Sequence, residues 1–117
     1  MNICPAELFA ALSHDTRLRC MLLLLANEEL CVCELTETIG VAQPHVSRHL
    51  AQLRETGLVS DRRDGLWIHY RLNSESPGWV IAILKQTAVA VAGSQPYDDD
   101  LAALYRLSGR PGKSRCA

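Results

Sequence analysis

A mainly α fold with one small β-hairpin is what this 117-residue sequence predicts, and three observations predict it. Two short helical patterns, Cys31 to Ile39 and Pro44 to Thr56, meet at Gly40, each with an apolar face spaced by threes and fours: Val32, Leu35 and Ile39 on the first, Val46, Leu50 and Leu53 on the second. After Gly57 the period shortens, and Leu58 to Arg62 and Leu66 to Leu72 read as two strands joined through Asp64-Gly65, a strong hairpin signal. The stretch GWVIAILKQTAVAVAG is apolar almost all round apart from Lys85, Gln86 and Thr87, so it needs cover on more than one side. A helix-turn-helix followed by a hairpin is a winged helix-turn-helix, and the over-apolar last helix predicts a homodimer.

Taken in order, PAELFAAL over 5–12 predicts a first helix with Pro5 at its start. SHDT then offers Ser13 and Asp15 as caps, with His14 as a surface or capping residue, before a second helix over Arg17 to Asn27 with Leu18, Met21, Leu22 and Leu25 as its core stripe. Beyond Gly93 to Pro96, DDDLAALYRL could form one more short helix with aspartates at its N-terminus, followed by a basic tail, SGRPGKSRCA. The predicted organisation is a DNA-binding and dimerisation domain over 1–93 and a C-terminal extension over 94–117.

The second helix of the pair carries a polar face with no core role. His45, Arg48, His49 and Gln52 stand opposite the apolar stripe, flanked by Gln43 and Ser47. Solvated faces favour Glu and Lys; this one holds neither and carries groups that bond to base edges and phosphates. Ala42 and Gln43 are poor caps, which leaves backbone donors at the helix start available to a phosphate. Arg62 and Arg63 are expected at the hairpin tip, within reach of the DNA backbone or minor groove, with His69 and Arg71 on the return strand. The bland alternative, ordinary solvation of a helix and a turn, loses ground because helix and hairpin carry these groups together.

Length bounds the chain to one domain, and 48% hydrophobic against 21% charged residues is globular. A net charge of −1 argues against a generic polyanion binder. Yet Gln43 to Leu72 holds five arginines against three acids, so positive charge gathers where the reading surface is expected. MNICPAEL lacks a basic start and an apolar core, and no apolar run approaches the ~20 residues of a membrane span, so a cytoplasmic protein is expected.

Five cysteines in such a compartment are packing, redox or metal groups rather than structural disulfides. Cys20, inside an apolar helix, reads as a small buried hydrophobe. Cys31 and Cys33 are different. Residues two apart point away from each other in a regular helix, so packing gives no reason for Cys-Val-Cys at a helix start. The helix N-terminal field favours thiolate there, and thiolates are soft ligands for Zn(II), Cu(I), Cd(II), Pb(II), As(III) and Sb(III).

The runs LSHDTRLRCMLLLL, ELCVCELTETIGVAQPHVSRHLAQLRETGLV and DRRDGLWIHYRL together resemble the ArsR/SmtB family of winged-helix metal-sensing repressors, and within it the arsenic-responsive branch. The likeness covers roughly residues 5–92. It implies a homodimer that occupies an operator without metal and leaves when metal binds, with Cys31 and Cys33 as the sensor cysteines. Arsenic sensors of this type carry a third cysteine where this sequence has Thr36, a poor soft ligand. Cadmium- and lead-responsive relatives complete the pair with cysteines from the other protomer's N-terminal segment, and Cys4 resembles that arrangement. The family's alternative zinc site on the last helix needs acidic and histidine ligands, which Ser76 to Gly93 lacks.

The sequence therefore predicts a repressor whose operator affinity falls when As(III), or Sb(III), Cd(II) or Pb(II), is held by Cys31 and Cys33 with Cys4. The competing reading is a thiol redox or persulfide sensor on the same fold. An enzyme with a nucleophilic cysteine and His45 or His49 as base would need an oriented third group and a pocket, and the sequence indicates neither.

Overall fold

The computed structural model describes residues 2–108; the predicted tail and Cys116 lie outside the described residues. Within them run α1 (Pro5–Leu12), α2 (Asp15–Ala26), β1 (Leu30–Cys31), α3 (Val32–Ile39), α4 (Gln43–Glu55), β2 (Val59–Asp64), β3 (Trp67–Leu72), α5 (Gly78–Val91) and α6 (Tyr97–Ser108). This is the predicted winged helix-turn-helix, with one strand, β1, that the sequence reading assigned to the start of α3.

Local chemistry accounts for the boundaries. Pro5 opens α1, and the His14 ring nitrogen Nδ1 accepts from the Thr16 N–H at 3.1 Å to cap α2, with Asp15 in the first turn. The α3 helix ends at Gly40 in the left-handed region (φ 79°), where its N–H reaches the Thr36 carbonyl; a side chain at that position would be strained. Gly65 (φ 61°) opens the hairpin turn, which consists of Gly65 and Leu66. The turn is thus one residue later than predicted. Consequently Arg62 and Arg63 do not sit at the tip: they lie in β2, paired with His69 and Ile68.

The sheet has the order β1-β3-β2, all antiparallel. Its central strand places His69 opposite Cys31 on one side and opposite Arg62 on the other. Partners across antiparallel strands share a face, so Cys31, His69 and Arg62 form one row across the sheet. The opposite face, with Leu30 and Tyr70, joins the core.

Val46, Leu50 and Leu53, the predicted apolar stripe of α4, are fully buried against Leu35 and Ile39 of α3 and Met21 of α2. Each such leucine contributes about 1.5–3 kcal/mol by leaving water. On α5 only Val80 and Leu84 are buried, and Trp79 and Val89 stand exposed, as does Phe9 on α1. The cover that the apolar α5 pattern calls for is therefore only half supplied by its own chain. The extension packs back on the body: α6 lies against α3 and α2, Leu104 is buried, and Asp100 takes two bonds from Arg19 at 2.8 and 2.7 Å.

Candidate metal centre and nucleic-acid interface

Cys31 is not the first helical residue but the N-cap of α3, with extended dihedrals (φ −84°, ψ 161°). That single displacement changes the geometry of Cys-Val-Cys. With Cys31 swung out of the helix and Cys33 in its first turn, the two Cα atoms are 5.4 Å apart and the sulfurs meet in a disulfide. The expectation that the pair points apart is corrected, because it presumed regular helix at Cys31. The expectation that the cysteines form no structural disulfide is not touched by this bond. A bond across one intervening residue closes almost no loop and constrains the unfolded chain little, so it marks proximity and not a structural staple.

The cap explains why the chain adopts this shape. Cys31 N–H donates to Glu34 Oε1 at 3.0 Å, and Glu34 N–H donates to Cys31 Sγ at 3.4 Å, a capping box with cysteine where Ser or Thr is usual. Cys31 is buried and Cys33 half-buried, so access to the pair is through Cys33. Both sulfurs lie at the positive end of the α3 dipole.

Thr36, one turn after Cys33, offers an enclosed hydroxyl that has no hydrogen-bond partner among the described residues. Its oxygen is too hard to complete a thiolate set. Cys20 is buried, and burial pushes its thiol pKa up to about 12, which keeps it protonated as the packing reading requires. Cys4 caps α1, exposed and with a free thiol. Among the described residues no three His, Cys, Asp or Glu side chains converge as a ready metal cluster.

On α4 the predicted reading residues divide into two groups. Gln43, His45 and Arg48 are exposed and Ser47 half-buried, all in the first half of the helix, whose Ala42 cap makes no side-chain bond. Arg48 Nη2 lies 2.6 Å from His45 Nδ1. Arginine only donates, so this ring nitrogen is the acceptor. His49 and Gln52 are instead engaged from behind. Arg17 Nη1 of α2 lies 3.1 Å from His49 Nδ1 and donates to Gln52 Oε1 at 2.9 Å, while its other nitrogens bond the Ala11 and Ala10 carbonyls at 2.8 and 3.3 Å. His14 stacks on His49 with ring centroids 4.1 Å apart. Sequence reasoning missed Arg17, and no local signal marks it, since its partners are 32 and 35 residues away.

On the wing, Arg63 is exposed and Arg62 donates to both carboxylate oxygens of Glu29, at 2.7 and 3.3 Å. Glu29 Oε1 also stands 3.9 Å from Nδ1 of His69, a fully buried ring whose two nitrogens have no hydrogen-bond partner among the described residues.

A two-helix reader with an exposed polar helix face, backed by a core and followed by a basic hairpin, defines a winged-helix DNA-binding protein. Comparison with known proteins places it more narrowly. Residues 14–61 match the family described as bacterial regulatory protein, arsR family. The chain is 47% identical to the arsenic resistance transcriptional regulator ArsR2 of Pseudomonas putida, over 93% of each. It is 48% identical to the arsenical resistance operon repressor of Escherichia coli over 70% of each. Among solved structures, the AntR antimony-specific transcriptional repressor superposes with a TM-score of 0.65 at 30% identity, covering 75% of this chain and 77% of that one. The chain belongs to the ArsR family of transcriptional repressors and is not an enzyme. No helix among the described residues is long and apolar enough to cross a membrane.

Proposed function

We propose that this repressor holds its operator as a homodimer and releases it when a thiophilic ion, As(III) foremost, bridges Cys31 and Cys33, with Cys4 of the partner subunit supplying a third sulfur. The observation that carries the reading is the capped α3 N-terminus, which brings two soft donors together without disturbing the helix. The names of its relatives, arsenic resistance regulators and an antimony-specific repressor, support the same class of inducer. Sb(III), Cd(II) and Pb(II) fit the same donors.

In this reading Gln43, His45, Ser47 and Arg48 contact base edges and phosphates, while His49 and Gln52, held by Arg17, set the angle at which the helix enters the groove. Arg62 and Arg63 give the wing its positive charge, with Arg62 already paired to Glu29. Two such helices must match half-sites about 34–36 Å apart at once, so a small tilt costs both halves. The tilt does not require α3 to unwind, since the sulfurs already meet with that helix intact. It arises at the β1-α3 junction, which is bonded through β3 to the wing and packed through α3 on α4.

A second reading, a thiol redox or persulfide sensor, is favoured by the same sulfur contact. A mobility shift on the chain's own upstream DNA separates the two. Under full reduction As(III) releases DNA from an ion sensor and leaves a redox sensor bound; oxidant without ion does the reverse. Unchanged binding under both treatments sinks both readings.

A further inference from the structure

The wing carries two adjacent arginines, and β-strand alternation turns them to opposite faces of the hairpin. Their surroundings differ. Arg62, although 53% exposed, is occupied: it grips both oxygens of Glu29 and makes only a distant 4.0 Å contact with Asp64. The Arg63 side chain is exposed and makes no hydrogen bond or ion pair among the described residues. Glu29 meets the Arg62 fork with both of its carboxylate oxygens. It also belongs to a different part of the chain, two residues before Cys31 and just ahead of β1.

We infer that Glu29 is a positioning residue for operator binding: it withdraws Arg62 from phosphate, ties the wing to the β1 edge, and leaves Arg63 as the wing cation that meets DNA. The fork of two parallel bonds matters here, because it engages two of the guanidinium donors and offsets its charge, leaving less of both for a phosphate. An exposed pair of this kind is weak enough, about 0.2–1 kcal/mol, to act as a bias and not a lock. It nevertheless links the strand entering the sensor cysteines with the hairpin, so the wing's setting follows β1.

The inference rests on DNA binding alone, and its test uses no ion, so failure of the As(III) reading leaves the result standing. The full chain is titrated against a duplex from its own upstream region across a range of salt concentrations. Each phosphate contact contributes about 0.9 to the slope of log K against log salt. Arg63→Ala is expected to make the slope shallower by about 0.9, and Arg62→Ala to leave it unchanged. Glu29→Gln frees Arg62, so binding should tighten roughly two- to five-fold and the slope steepen by about 0.9. Both gains should vanish in Glu29→Gln/Arg62→Ala, which excludes a general effect of removing one negative charge. The idea is overturned if Arg62→Ala alone makes the slope shallower as Arg63→Ala does, if Glu29→Gln leaves the slope unchanged, or if its gain survives without Arg62. Circular dichroism melts of each variant separate these outcomes from loss of fold, which does not produce a steeper slope.

Discussion

Arg17 on α2 donates to Gln52 on the reading helix at 2.9 Å, with the same nitrogen 3.1 Å from His49. The other nitrogens of this guanidinium bond the last carbonyls of α1, so one side chain fixes α4 against two helices behind it. The polar face of α4 is therefore divided: His49 and Gln52 are braced from behind, and Gln43, His45 and Arg48 stand exposed in front, where the proposed function has them meet DNA. Arg17→Ala should lower unfolding free energy by about 1–2 kcal/mol, the scale of lost hydrogen bonds from a charged donor, and weaken operator binding as a consequence. Arg48→Ala should weaken operator binding by about 1–3 kcal/mol with no change in melting. Chemical denaturation and mobility shifts on both variants check the division; equal melting losses would contradict it.

The brace has a pH signature. The His49 imidazole is held below its ordinary value of 6.5, first by burial, then by His14 and the neighbouring arginines, against a raising hydrogen bond with Gln52. The folded chain thus favours neutral His49 while the unfolded chain takes up a proton first. Its contribution is complete above about pH 6.5 and is lost as pH falls towards the lower folded-state value. Glu29, also held low, acts in a more acidic window, below its ordinary 4.5. The urea midpoint should fall between about pH 7.5 and about pH 5.5, and His49→Gln should reduce that fall. A midpoint flat across this interval in the wild-type chain would count against the assignment.

How much of this was legible in the sequence depends on the range of the interaction. The α3 and α4 apolar stripes repeat every three or four residues, so periodicity alone located them and their buried leucines. The two-residue strand β1 has no period to read, and it was absorbed into the helix that follows. That error carried a second one, since a helical Cys31 points away from Cys33 whereas an N-cap does not. A signal was present: Cys31-x-x-Glu34 has the spacing of a capping box, disguised by sulfur in the place of a hydroxyl. The contacts from Arg17 to α4 and the bonds between Glu29 and Arg62 join residues more than thirty positions apart, and only folding brings those partners together.

The extension should matter to stability as much as any core contact. Asp100 is buried, and Arg19, which grips it, also reaches the Ile39 carbonyl at the end of α3 at 3.3 Å. The bond to Asp100 raises the Arg19 pKa against the lowering effect of its own partial burial. Asp100→Ala leaves a half-buried guanidinium short of its partner and should cost about 1–3 kcal/mol, less than a fully buried pair because water reaches Arg19. Thermal melts should register it, and because α6 lies against α3, operator affinity should fall with it. A melt identical to the parent chain would show that α6 is not fastened to the body in solution.

The exposed apolar strip on α5 gives a sharper test of the dimer than its buried residues. Asp in place of Val80 or Leu84 strikes the chain's own core and would unfold it whatever the assembly. Val89 is 70% exposed in the single chain, so Val89→Asp is free to fold and should instead shift sedimentation towards monomer and loosen operator binding. Sedimentation of the parent chain as a monomer at micromolar concentration would remove the two-half-site mechanism.

The third sulfur is the most exacting prediction. Cys20 is excluded by burial and its raised pKa, and Thr36 supplies only an enclosed hydroxyl. Cys4 stands exposed at the start of α1, whose Phe9 lies uncovered like the apolar residues of α5. A dimer built on those surfaces would hold each Cys4 at its edge, as the proposed three-sulfur site requires. Cys31→Ser or Cys33→Ser should then give a repressor that binds DNA and ignores As(III), while Cys4→Ser should respond with weaker affinity, since two thiolates still hold the ion. X-ray absorption should count three sulfurs per arsenic in the parent chain and two in Cys4→Ser. Three in both would transfer the role to another thiol, either Cys116 or a small external one. Mixed dimers decide whether the sulfur crosses the interface: pairing a Cys4→Ser chain with a Cys31→Ser/Cys33→Ser chain leaves one complete three-sulfur site only if Cys4 serves its partner.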